Sequence, residues 1–225
     1  MKKFYLFILM ATIISLQFGC AKDDDSDDNE NTNPESITDA RDGKVYATEK
    51  VGDQVWFAEN LNYEVPASIR DYKAQQSWCY NNDEENGKIY GRLYPWEAAL
   101  SACPSGWHLP SNVEWNDFLI SKGVNQNELN IEGWIGTDIG KRMKSTSGWN
   151  DDGNGTNSSK FNGLPGGTYS SGEFMDIGNN GYWWSSTQKD YESSYEYDLS
   201  FNDDKIYFGH WGKTHARSVR CVKDE

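Results

Sequence analysis

The first thirty-odd residues confine where this chain can fold. Phe4 to Leu16 is an apolar run diluted only by Tyr5, Thr12 and Ser15, preceded by Lys2 and Lys3 and closed by Gly19 and Cys20. It is shorter than the roughly 20 apolar residues a membrane-spanning helix needs, and with its basic flank it reads as a secretory signal. The residues that follow, AKDDDSDDNENTNPES, hold almost no apolar group to bury and cannot nucleate a core. A folded domain is therefore expected only beyond them. The division is a signal peptide over 1–19, a disordered acidic linker over 20–38 and one domain over 39–225.

The junction at Gly19 and Cys20 resembles a bacterial lipobox, although Leu16 stands four residues before the cysteine where the usual motif has three. A thiol freed at a new N-terminus can be diacylated, and two acyl chains anchor stably where one does not. The expectation is a lipoprotein lipidated on Cys20, with the linker as a stalk. The run Lys22, Asp23, Asp24, Asp25 resembles the signal that exports lipoproteins of Bacteroidota to the cell surface. The expected location is the outer membrane, lipid-anchored and surface-exposed.

Charge narrows the partners. The chain carries −14, and loss of Lys2 and Lys3 with the signal leaves 19 basic against 35 acidic side chains, or −16. Nucleic acid is not an expected partner, because phosphate contacts need basic patches. About 190 residues past Pro34 suffice for one domain with a real core. With 10 Trp, 13 Tyr and a mean hydropathy of −0.82, aromatic rings must supply much of that core. Indole planes also suit sugar faces, but burial is the first use for most of them.

Local patterns give an α+β chain. Lys44–Thr48 and Gln54–Ala58 are β-type runs joined by Gly52 and Asp53, a hairpin. Tyr80–Gly91 is polar, with NNDEENG as a loop. Pro95 opens a helix whose Trp96, Ala99, Leu100 and Cys103 share a face. Ser111 and Glu114 form a capping box before a helix presenting Trp115, Phe118 and Leu119 and stopping at Gly123. A shorter helix is expected around Asp138–Lys144. Residues 145–180 are rich in Gly, Ser, Asn and Thr, a long irregular stretch of the kind that serves as a binding or lid element. Strands follow at Tyr182–Thr187, Tyr195–Phe201, Lys205–Trp211 and Ser218–Lys223. Tyr195, Tyr197, Leu199 and Phe201 alternate as a half-buried strand does, and Asn202, Asp203 and Asp204 make its turn.

The blocks VWFAENLNY (55–63), WCYNN (78–82), YGRLYPWEAAL (90–100), ACPSGWHLPSNVEWNDF (102–118), FNGLPGG (161–167), YWWSST (182–187) and SVRCVKD (218–224) resemble the Fibrobacter succinogenes major paralogous domain, a family of secreted and lipid-anchored bacterial proteins. The family is similar to C-type-lectin-like and formylglycine-generating-enzyme-like folds. The resemblance implies a C-type-lectin-like α+β fold, with two central helices, antiparallel strands and a long irregular loop region. It carries no settled activity.

Setting Cys20 aside leaves Cys79, Cys103 and Cys221, enough for one bridge in an oxidising compartment. In lectin-like folds the first helical region and the last strand are bridged, which implies a Cys103–Cys221 disulfide. Family members often pair the cysteine at 79 with one near 87. Here that position is Gly87, so Cys79 is expected to stay unpaired within the chain.

No catalytic set stands out. The formylglycine-generating resemblance would require a reactive cysteine pair near the C-terminus, where only Cys221 lies. His210 and His215, five apart, fall on opposite faces of a strand, and His108 in GWHLP reads as hydrogen-bonded rather than as a base. Plentiful Asp and Glu leave a glycosidase-type carboxylate pair open, with none singled out. Oxygen ligands at Asp151, Asp152, Asn154 and Asn157 suit Ca²⁺, but without the EF-hand order; a turn cluster is the favoured reading there. The expected function is a non-catalytic lectin-like binding or adhesion module for a glycan or protein ligand, with Trp183, Trp184 and Trp211 as binding residues. The alternative is an enzyme acting on polysaccharide or sulfated substrates. Solvent-facing tryptophans beside a groove would favour the first; buried carboxylates clustered in a cleft with shifted pKa values would favour the second.

Overall fold

The structure, a computed structural model, describes residues 35–66 and 77–225. The signal peptide, Cys20 and most of the linker lie outside the described residues. Among the described residues, no helix is long and apolar enough to cross a membrane.

β1 (Ser36–Thr38), β2 (Val45–Val51) and β3 (Gln54–Phe57) form an antiparallel meander. The expected linker thus ends earlier than residue 38. Ile37 pairs with Tyr46 and packs on the core, supplying the apolar group that the acidic run lacks. The β2–β3 hairpin turns on Gly52 and Asp53 as expected, with Gly52 at φ +62°.

The polar stretch expected as a loop folds instead. A 3₁₀ turn at Tyr80–Asn82 leads into α1 (Glu84–Tyr90). Asp83 caps it by accepting from the Glu85 N–H, Glu84 and Glu85 face the positive end of the helix dipole, and Lys88 sits in the last turn. β4 (Leu93–Pro95) runs into α2 (Trp96–Ala99), a single turn where a helix reaching Cys103 was expected. The chain tightens there through three-residue hydrogen bonds, Ser101 N–H to Ala98 and Ala102 N–H to Ala99, which turn Leu100 outward and bury Ala102. β5 (Trp107–His108) precedes α3 (Asn112–Ser121), whose Ser111–Glu114 capping box is present with both reciprocal bonds.

β6 (Gly133–Ile135) and α4 (Ile139–Met143) follow. The segment from 145 onward is not a free excursion. Ser145 N–H donates to Gly163, Gly163 N–H to Met143 and Asn157 N–H to Lys144. Trp149 and Phe161 are pegged into the core. Its end forms a hairpin, β7 (Thr168–Ser170) and β8 (Glu173–Met175).

β9 (Asn180–Gln188), β10 (Ser193–Ser200) and β11 (Ile206–Gly212) are the long antiparallel strands. The last strand expected over Ser218–Lys223 is split into β12 (Ala216–Ser218) and β13 (Val222–Lys223), one in each sheet. Five strands run in the order β1-β2-β3-β13-β5, and the larger sheet in the order β6-β11-β10-β9-β12-β7-β8, with β4 also paired to β12. The result is α+β, mostly strand.

Between the two pieces of the last strand, Arg220 is fully buried and bonded to no carboxylate among the described residues; its guanidinium donates to Asn60 Oδ1 and to the carbonyls of Phe57, Phe161 and Asn162. Cys221, next to it, is bonded to Cys103 across 118 residues, the pairing the family resemblance implied. Cys79 is free and buried.

The core is aromatic, as the composition required. α3 lays Trp115 and Phe118 on one face of the large sheet, with Trp115 stacked 4.4 Å from Tyr197 and Trp183 in the same cluster. A second cluster gathers Tyr94, Trp96, Trp184, Val219 and Cys221.

Candidate functional site

Directly paired residues on antiparallel strands point to the same face. On β10, Tyr197 and Leu199 face α3. The intervening Glu196 and Asp198 face the other way, beside Trp184 and Tyr182 of β9 and beside Gly209 and Tyr207 of β11. Ser194 faces Trp211 in the same register. This face was expected to meet solvent. Instead β12 sends Arg217 across it, and β7 and the residue after β8 close one side.

The outcome is a cleft of about 280 Å³. Its floor is Glu196, Asp198 and Arg217; its walls are Thr168, Tyr182, Tyr207, His215, Met175 and Asp176; Trp211 stands at its rim. Arg217 Nε donates to Glu196 Oε2 at 2.6 Å, and its NH1 group donates to Thr168 Oγ1. The guanidinium lies 4.3 Å from the Tyr182 ring centre, a cation–π contact. Tyr182 in turn donates its hydroxyl to Asp176 at 2.8 Å. Tyr207 folds against Gly209, where any Cβ would collide with its ring.

The electrostatics follow from burial. Desolvation raises the Glu196 carboxyl above its ordinary range, against the pull of Arg217. Asp198 is raised well above its ordinary range, first by burial and then by the charge of Glu196. Its Oδ1 is buried and has no hydrogen-bond partner among the described residues. Burial and then Asp176 raise Tyr182. Burial, then Arg217, lowers His215, whose ring contacts Trp211 edge-on at 5.8 Å.

The expected binding residues divide. Trp183 and Trp184 are both 0% exposed, and their indole N–H groups donate at 2.8 Å to Asn60 Oδ1 and to the Tyr94 carbonyl. They build the two cores, because β9 is covered on both faces at that point, and they are corrected from binding to structural roles. Trp211 is 51% exposed at the cleft rim. Sequence reasoning missed Glu196, Asp198, Arg217, Tyr182 and Tyr207. The available signal was two carboxylates at alternate positions of a strand destined for the middle of a sheet.

Of the calcium set, Asp151 and Asp152 are exposed turn residues at φ +48° and +59°. Asn154 Oδ1 accepts from Trp149 N–H and Asn157 Oδ1 from Asn162 N–H, the work of turn caps. Asp152 and Asn154 line a polar cleft with Asp203 and Asp204, into which Lys141 and Lys144 also reach. Lys144 Nζ donates to the Ser200 and Asp203 carbonyls at 2.9 Å, so an ammonium holds those oxygens. Among the described residues, no three His, Cys, Asp or Glu side chains group as metal ligands.

His108 is clamped, with Nε2 2.6 Å from Glu114 and Nδ1 2.6 Å from Asp224. In comparison with known protein families, the model of the Fibrobacter succinogenes major domain matches residues 50–223. No curated protein and no solved structure matches the chain.

Proposed function

The chain belongs to the Fibrobacter succinogenes major domain family, and we propose that this member is a surface-anchored, C-type-lectin-like adhesion module whose sheet-face cleft binds a glycan. The observation that carries this is the pairing of a half-exposed Trp211 with buried polar groups beneath it. A sugar needs an apolar plane for its ring face and fixed donors and acceptors for its hydroxyls. Trp211 and Tyr207 offer the planes; the half-buried Asp176, Asp198 and His215 offer the polar partners, held in place by the buried Glu196, Thr168 and Arg217. A bridge from the α2 region to the final strand supports the lectin-like reading of the fold. The acidic stretch before the domain, in this reading, is the stalk from a lipidated Cys20 in the outer membrane. Mass spectrometry of the membrane fraction tests the anchor: an unmodified Cys20 sinks it.

A glycan array with the mature chain tests the binding function. The expected result is a defined set of bound glycans, with Trp211→Ala losing about tenfold or more in affinity through loss of stacking. Retention of full affinity by that variant would place binding elsewhere.

The acid pair favours a second reading, an enzyme acting on polysaccharide. Asp198, raised well above the ordinary carboxylate range, has the character of a general acid. Glu196, hydrogen-bonded to Arg217 and 2% exposed, is poorly placed as its partner, since a nucleophile or base must reach the sugar. Release of reducing ends from a bound polysaccharide, abolished in Asp198→Asn, would establish this reading over the first.

A further inference from the structure

We infer that the cleft takes a free amino sugar, seating its ammonium against Asp198 beside the Tyr207 ring, with Trp211 at the rim to cover a sugar face. This rests on the glycan-binding reading of the same site.

Charge is the first ground. The cleft presents three carboxyl groups, Asp176, Glu196 and Asp198, and one guanidinium, Arg217. Arg217 is committed to Glu196 and Thr168 and stacks on Tyr182. His215, the remaining basic side chain on the lining, has its proton affinity lowered by burial and then by Arg217, which disfavours its charged form. Asp176 has the Tyr182 hydroxyl. Asp198 feels the charge of Arg217 but makes no ion pair or hydrogen bond with it. An anionic ligand, sulfated or uronic, would meet no uncommitted cation among the lining residues and would oppose ionisation of Asp198 further.

Hydrogen bonding is the second. Asp198 Oδ1 is buried with no protein partner among the described residues. An unsatisfied buried acceptor is costly, and a ligand donor relieves it. An ammonium supplies three donors and a positive charge that favours the ionised form of Asp198.

Ring geometry is the third. Arg217 already covers Tyr182, so the rings left on the lining are Tyr207, opposite Asp198 in the strand register and edge-on to Trp134, and Trp211 at the rim, opposite Ser194. Aromatic faces next to a carboxylate are the recurrent setting for a desolvated ammonium.

A proton balance follows. Burial and then the charge of Glu196 oppose ionisation of Asp198 in the free cleft. An ammonium beside it reverses that preference. The O–H bond of the carboxyl breaks, the carboxylate pairs with the ammonium, and the proton passes to solvent.

The test is calorimetric titration of the mature chain at pH 6 with a glucosamine tetramer, its fully N-acetylated counterpart, a cello-tetraose and a tetralysine peptide, in two buffers of different ionisation enthalpy. The expected result is at least about tenfold tighter binding of the glucosamine tetramer than of either neutral sugar, with proton release. Asp198→Asn is expected to reduce it to the level of the N-acetylated form and to abolish the release. Equal affinity for the three sugars overturns the amine inference and leaves the glycan reading intact. Tightest binding of tetralysine overturns it in favour of a protein amine. Binding of no sugar, here or on the array, removes both. The wild-type comparison among sugars decides the matter even if the Asp198 variant folds poorly.

Discussion

Gly87 on α1 packs so closely on Cys79 that a Cβ at position 87 would collide with the Cys79 sulfur. The two residues are thus held where a second cysteine could reach the first. The free thiol is buried, and burial pushes its pKa up to about 11, which makes it inert at neutral pH. Gly87→Cys is expected to form a disulfide between Cys79 and the introduced thiol under oxidising conditions. The entropy model gives a gain of up to about 2.5 kcal/mol for so short a loop. Gly87→Ala, which brings the collision without the bond, is expected to lose about 1–3 kcal/mol despite alanine's better helix propensity. Peptide mapping without reductant and urea denaturation of both variants check this; a stabilised Gly87→Ala would contradict the packing.

The buried pair of Arg217 and Glu196 tolerates loss of both partners better than loss of either one. Side chains 4% and 3% exposed leave any stranded charge without water. Glu196→Leu or Arg217→Met alone is expected to cost about 3–5 kcal/mol, and the double variant distinctly less than the sum. Denaturant titration of the three variants measures the coupling; strict additivity would refute it.

A pH effect is expected from His108. Burial opposes its charge, but the hydrogen bonds to Asp224 and Glu114 outweigh that and raise its pKa above 6.5 in the folded state. A raised folded pKa means stability fully present below the unfolded value and lost as pH rises through the folded one. Melting temperature should therefore fall as pH climbs from about 6.5. The fall should be modest, because the ring is 40% exposed and solvent screens the pair. His108→Asn should flatten this part of the profile; an unchanged slope would assign the effect to another group.

The turn around Asn154 should be indifferent to calcium. Its Oδ1 holds the Trp149 N–H, and Trp149 is pegged into the core. Asn154→Ala is expected to cost about 1 kcal/mol by loss of that bond. The loss should be the same in EDTA and in millimolar Ca²⁺. A melting temperature that rises with Ca²⁺ in the wild-type chain, and not in the variant, would restore the metal reading for Asp151, Asp152, Asn154 and Asn157.

Local chemistry was legible wherever neighbours in sequence decide the outcome. The Gly52–Asp53 hairpin and the Ser111–Glu114 box needed only turn and cap residues within a few positions. α1 was legible too in retrospect, since Asp83, Glu84, Glu85 and Lys88 carry cap and dipole signals that the polar character of NNDEENG obscured. α2 was not, because the tightened turn before Cys103 is set by contacts far along the chain.

By itself the sequence determined the α+β class, the aromatic nature of the core, and the two-residue alternation that sets Tyr197 and Leu199 against Glu196 and Asp198. Only the tertiary structure decided what covers each face. Alternation states which side chains share a side of a strand, and it is silent on what packs there. β12, arriving from the far end of the chain with Arg217, turned an expected solvent face into a cleft. The same packing buried Trp183 and Trp184 and left Trp211 at the rim, because β9 is covered on both faces where β11 is not.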